Sequence, residues 1–121
     1  MKIKNIFEPI FNTHLLFIYD CKAFDAEDYL RRQGIETSLV RNFGQLGSYK
    51  FTKDNDKEWQ QIRYYIWLER GQEKTTTLYH ELSHLIFLSL FDCGIKITRD
   101  TDETFCYYLE WWIKEIKKIF K

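Results

Sequence analysis

The chain has 121 residues, the length of one domain with room for a single hydrophobic core. Lys plus Arg and Asp plus Glu both number 18, so the charge is balanced and lacks the basic excess that a phosphate-backbone binder carries. An aromatic content of 18% with one proline and five glycines excludes the disordered, collagen-like and low-complexity classes.

At the N-terminus, Lys2 and Lys4 are followed by Glu8 and Pro9, where a secretory signal would need a continuous apolar block. Residues 10–19 are β-branched and aromatic, and Asp20 closes the run. They read as a strand. Residues 23–33 read as a short helix, with Asp25 as cap and Gly34 as stop. Residues 35–40 read as a second strand. Residues 42–47, with Gly44 and Gly47, read as a turn. A short strand over 48–52 and a polar hairpin loop over 53–57 follow. Residues 61–69 carry the strongest strand signal of the chain, and Gly71 marks the next turn.

From Thr75 the period changes. Leu78, Leu82, Leu85, Ile86 and Leu90 recur at helical spacing. After His84 this helix is apolar nearly all round, which predicts burial on every side. Asp92, Cys93 and Gly94 stop it. A second helix starts near Thr101 or Asp102 and runs to the C-terminus. Its stripe is Phe105, Leu109, Trp112, Ile113, Ile116 and Phe120. Acidic residues at its start and lysines at its end suit the helix dipole. No run approaches the ~20 apolar residues of a membrane span. Cys21, Cys93 and Cys106 form neither a disulfide framework nor a cysteine zinc cluster. They read as small core residues in a reducing, cytoplasmic setting.

One constellation carries chemistry. Residues 80–84 read His80-Glu81-Leu82-Ser83-His84, the H-E-x-x-H pattern, inside the helix just described. Residues four apart share a helix face, so His80 and His84 can present two imidazoles to one ion. Glu81 can reach a zinc-activated water without being a ligand. As a carboxylate it can pass that water's proton to a leaving amine. The plainer reading is a core helix with two incidental histidines. It is disfavoured by the cost of placing two His and a Glu on an otherwise buried helix.

Two imidazoles do not complete a catalytic zinc site, and no histidine follows His84. The third ligand is therefore expected to be acidic and to come from the second helix. Asp100, Asp102, Glu103 and Glu110 are the candidates. Glu103 follows His84 by nineteen positions, in the first turn of that helix, as a His2Glu site requires. The helical wheel raises a tension. Glu103 lies about 160° from Phe105, whereas Asp102 falls within the apolar stripe. Asp102 could instead cap the helix or orient a ligand histidine.

This segment resembles the small zincin-like proteins of phages and prophages. The shared features are the His80–His84 helix, the Gly94-Ile95 turn, and Asp102-Glu103 leading into Thr104-Phe105-Cys106-Tyr107. It is also similar in organisation to the ImmA/IrrE-type metallopeptidases, whose third ligand is a Glu three residues before a small residue. The resemblance covers about a quarter of the chain, with Cys106 where the pattern usually has Ala. It implies an α+β fold: a minimal zincin-like (gluzincin) domain over residues 1–121. In that fold a small twisted sheet packs on the H-E-x-x-H helix and a C-terminal helix, and its edge strand flanks the cleft. It implies Zn2+ held by His80, His84 and Glu103, with Glu81 as base.

Tyr107, one turn from Glu103, could donate to a developing oxyanion, or simply pack. His14 reads as a packed or surface histidine. Trp111 and Trp112 cannot both face one core, and Tyr64 and Tyr65 pose the same problem. Part of the aromatic surplus is therefore expected at a cleft or a protein interface.

The expected function is a zinc-dependent hydrolase, foremost a peptidase, whose extended substrate adds to the 61–69 strand. Neither nucleic acid nor a membrane is expected as a partner. The alternative is a phage-related accessory or virion protein that keeps a metal-binding zincin fold as a structural or interaction module. A repressor-regulating or toxin–antitoxin role rests on fold analogy alone. The expected location is the cytoplasm, that of the host or the virion if phage-encoded.

Overall fold

The computed structural model describes residues 1–37, 39, 43–53, 56–73 and 75–120, with the side chains of 56–58 excepted. The fold is α+β. In chain order the elements are β1 (Lys2–Glu8), β2 (Thr13–Cys21), α1 (Ala23–Arg32), β3 (Gly44–Lys53), β4 (Asp56–Glu69), α2 (Thr76–Asp92) and α3 (Asp102–Ile119). The four strands form one mixed sheet in the order β1-β2-β4-β3. β1 runs antiparallel to β2, and β3 runs antiparallel to β4. β2 and β4 are parallel, with Leu15 opposite Tyr64 and Ile18 opposite Trp67. Their register shifts between Ile18 and Cys21, where Asp20 takes a positive φ of 59°.

Both faces of the two central strands are covered. Leu15, Phe17, Tyr19, Tyr64, Ile66 and Leu68 pack under α2 and α3. Leu16, Ile18, Tyr65 and Trp67 pack under α1 together with Ile35 and Leu39. That explains the continuous apolar runs of β2 and β4, since a strand buried on both faces loses its alternation. It also resolves the expected conflict at Tyr64 and Tyr65. Both are buried because each face has its own layer. Of the tryptophan pair, Trp112 is fully buried and Trp111 is half-buried against the same core.

Several expectations are corrected. β1 lies where no strand was expected. Residues 35–37 and 39 are not in a strand. Ile35 and Leu39 fill the core beside α1 instead, and Ser38 and Val40 lie outside the described residues. Gly44 to Gly47 belong to β3 rather than to a turn, while Asn42 lies outside the described residues. The expected 53–57 loop shrinks, because Lys53 ends β3 and Asp56 opens β4. Asp54 and Asn55 within it are also outside the described residues. The N-cap of α1 is Lys22, with Asp25 in the first turn. Cys21 is buried, but Cys93 and Cys106 are exposed.

The helix α2 is not buried on every side. Leu78, Leu82, Leu85, Ile86 and Leu90 are buried in the core shared with the sheet and α3, whereas Phe87, Leu88 and Phe91 are exposed. A single sheet and one neighbouring helix cannot wrap the whole circumference of a 17-residue helix. No helix among the described residues is long and apolar enough to cross a membrane.

Candidate metal centre

The site is built on the first half of α2. A turn at Gly71, with φ of 89°, reverses the chain after β4. Thr75 then caps the helix, its hydroxyl oxygen accepting the Thr77 N–H at 3.3 Å. The same hydroxyl donates to the Gln72 carbonyl at 2.9 Å. This knot satisfies an otherwise orphaned backbone donor and fixes where the first turn begins. His80 and His84 therefore fall on the second and third turns.

β3 closes one side. A Cβ on Gly44 would lie 2.9 Å from the Trp67 carbonyl oxygen and 3.0 Å from Thr77 Cγ2. Glycine thus lets the edge strand run hard against the start of α2. Between them opens a cavity of about 380 Å3 lined by Phe43, Gly44, Thr76, Thr77, His80 and Glu81.

His80 and His84 are exposed, and their Nε2 atoms stand 3.1 Å apart. The rings are nearly perpendicular, at 84°. At this distance the Nε2–H of one imidazole donates to the Nε2 of the other, and with that proton gone both lone pairs could turn to one cation. Glu81 is 7% exposed, yet its carboxylate has no hydrogen-bonding or ionic partner among the described residues. It opens on the cavity that His80 also lines. Its oxygens are not sealed from solvent, since Trp112 Nε1 is the one fully buried side-chain polar atom without a partner among the described residues, so the carboxylate stays open to water or a ligand in the cavity.

The expected third donors are not gathered with the pair. Among the described residues, no group of three or more His, Cys, Asp or Glu could hold a metal ion. Glu103, Asp100, Asp102 and Glu110 are exposed. Asp102 accepts the Glu103 N–H at 2.8 Å, a local bond at the helix start, where Thr101 is the N-cap. α3 turns Phe105, Tyr108, Trp112 and Ile116 inward, and Phe105 meets Phe87 of α2 with ring centroids 5.7 Å apart. That packing leaves Glu103 on the far side of the helix, as the wheel implied. Tyr107 is also exposed, as is Cys106.

His14 lies on the other face of the sheet, its ring tilted 44° against that of Phe7 at 4.6 Å between centroids. Burial, then the Arg63 guanidinium, hold its pKa below the ordinary histidine value.

Sequence reasoning missed Glu8. It is fully buried at the end of β1. It accepts backbone N–H groups from Ile10 and Phe11 and the Tyr108 hydroxyl at 2.7 Å. The only available signal was its place before Pro9, at the head of a turn. Comparison with family models, curated proteins and solved structures returns no match for this chain.

Proposed function

We propose that the chain is a zinc-dependent hydrolase, a peptidase of minimal gluzincin type. The observation that carries this reading is the His80–His84 pair with Nε2 atoms 3.1 Å apart, beside Glu81, whose carboxylate opens on the same cavity as His80. Two neutral imidazoles one turn apart suit zinc. When bound, the metal would supply Lewis acidity to an oxygen of the substrate or of water. Glu81, at the cavity wall, would take the proton of the attacking water and deliver it to the leaving amine. The edge strand β3 beside this cavity supports a cleft-flanking role.

The expected docking strand is corrected accordingly. Residues 64–67 of β4 pair with β2 on one side and β3 on the other, so this segment offers no free edge. An extended peptide would add to β3 instead. Glu103 is the third donor that the nineteen-residue spacing assigns, with Asp102 next. Neither is gathered with the pair among the described residues, so either would have to move to join it. Tyr107 would need the same movement to act on an oxyanion.

That missing donor favours a second reading: a phage-related accessory or virion protein that holds metal without hydrolysing peptides. One comparison separates the two. Zinc per chain is measured by dialysis and atomic emission, and cleavage of a peptide library by mass spectrometry. The wild type, His80→Ala, His84→Ala, Glu103→Gln and Glu81→Gln are compared. The first reading expects one zinc in the wild type, lost in either histidine variant and weakened in Glu103→Gln. It expects Glu81→Gln to keep zinc and lose cleavage. Zinc without cleavage gives the second reading. Protein prepared without chelator that holds no stoichiometric zinc overturns both.

A further inference from the structure

Beyond the His pair, α2 presents an apolar groove of about 480 Å3. Phe87, Leu88 and Phe91 form its floor, Ile95 and Ile97 its end, and Phe105 of α3 its far wall. Phe91 is 65% exposed, Phe87 48% and Leu88 42%, an unusual cluster for the outside of a helix. Lys96 is its one charged lining residue, and among the described residues it has no ionic partner.

The groove and the candidate metal centre lie on the same face of α2. At about 100° per residue, Thr77, His80, Glu81, Phe87, Leu88 and Phe91 all lie within about 60° of His84. One stripe of α2 thus carries the β3 contact, the two imidazoles and the groove in succession. Leu88 and Phe91 lie roughly 6 and 10 Å along the axis from His84. An extended peptide covers that in two or three residues.

We infer that this groove selects the substrate, and the inference rests on the peptidase reading. The occupant is an extended peptide with a bulky apolar side chain two or three residues from the bond held at the His pair. A carboxylate beside that side chain meets Lys96. The edge of β3 at the other end of the stripe accepts an extended chain, which favours a peptide over a folded surface.

The test uses the full chain with metal removed by chelator, so that binding is read apart from hydrolysis. The probes are fluorescein-labelled ten-residue Gly/Ser peptides carrying Phe next to Asp, and the same peptides with Phe replaced by Ser or Asp by Lys. Anisotropy should show the Phe/Asp peptide binding at least tenfold tighter than the Ser version, and severalfold tighter than the Lys version. Leu88→Ser and Phe91→Ser, both at exposed positions, should each lose about tenfold. Bound peptide should slow acylation of His80 and His84 by diethyl pyrocarbonate, read by mass spectrometry against His14. Equal binding of the Phe and Ser peptides, or undiminished acylation of the pair, overturns the inference. So does self-association of the free chain that Phe91→Ser abolishes, which would give the groove to a second copy. Failure of zinc to bind while the peptide results hold would overturn the metal reading alone.

Discussion

The Tyr108 hydroxyl donates to the buried carboxylate of Glu8 at 2.7 Å, joining the middle of α3 to the end of β1. Thr13 Oγ1 lies 2.6 Å from the same hydroxyl. Glu8 also collects the N–H groups of Ile10 and Phe11. The carboxylate thereby closes the β1–β2 turn and anchors the C-terminal helix over it. Hydrogen bonds to a charged group contribute about 1.5–3 kcal/mol, so Tyr108→Phe should cost about that much in urea unfolding. Glu8→Ala should cost more, because two backbone donors lose their partner together. The double variant should fall short of the sum by about 1 kcal/mol or more. Additive costs would show that the hydroxyl and the carboxylate act separately.

Alkaline stability should report a second buried phenol. Tyr64 donates to the Asp92 carboxylate at the C-terminal end of α2, where the helix dipole disfavours a negative charge. Burial, then the Asp92 contact, push the Tyr64 pKa well above its ordinary value. Burial does the same at Tyr108. Both shifts are upward, so their stabilising contribution is complete below the unfolded pKa near 10. Above it the unfolded chain releases protons that the fold retains, and stability falls by up to about 1.4 kcal/mol per pH unit for each phenol. Urea midpoints between pH 9 and 11 should therefore fall less steeply in Tyr64→Phe than in the wild type. An unchanged slope would show that Tyr64 ionises freely in the fold.

Gly47 sits opposite Tyr65 in the β3–β4 ladder. A Cβ at Gly47 would come within 2.2 Å of the Tyr65 ring and hydroxyl. The ring lies over the glycine and its hydroxyl pairs with Thr37. Gly47→Ala should therefore cost about 1–3 kcal/mol, the usual penalty of overpacking. Shortening the neighbour in Gly47→Ala/Tyr65→Leu should remove the clash and return part of that loss. If the single substitution proves neutral in denaturant unfolding, the close approach is not obligatory.

These glycines show how far the sequence could be read. Gly44 and Gly47 look like turn residues because glycine is usually placed for its backbone freedom. Here their role is the space above a strand, which depends on Tyr65 for Gly47 and on Thr77 for Gly44, both far along the chain. The helices α2 and α3 were legible because their apolar period is local. β1 was hidden, since Lys2, Lys4 and Asn5 interrupt its apolar residues on an edge strand. The His80-Glu81-x-x-His84 unit was fully legible because its geometry follows from helix pitch alone. Where Glu103 would point was legible only as a conflict, because it depends on how Phe105 seats against Phe87. The exposed groove was misread as core, since apolar composition does not tell how many neighbours a helix has.

The approach of β3 to α2 should be separable from the metal-binding pair. His80 and His84 are positioned by one helix, whereas the cavity wall needs Gly44 against Thr77 and the Trp67 carbonyl. In Gly44→Ala the new methyl meets a backbone oxygen at 2.9 Å, which cannot swing aside as a flexible side-chain end would. The edge strand must therefore shift away from the first turn of α2. Zinc affinity, measured by competition with a chromogenic chelator, should stay within about threefold of the wild type, since the two histidines are set by the pitch of α2 and none of the proposed ligands lies on β3. Peptide cleavage should fall by tenfold or more, because small misplacements of a substrate-aligning element have large costs in rate. Equal losses of zinc and cleavage would mean that β3 also holds the histidines. Cleavage that survives the shift would place the peptide elsewhere than along β3.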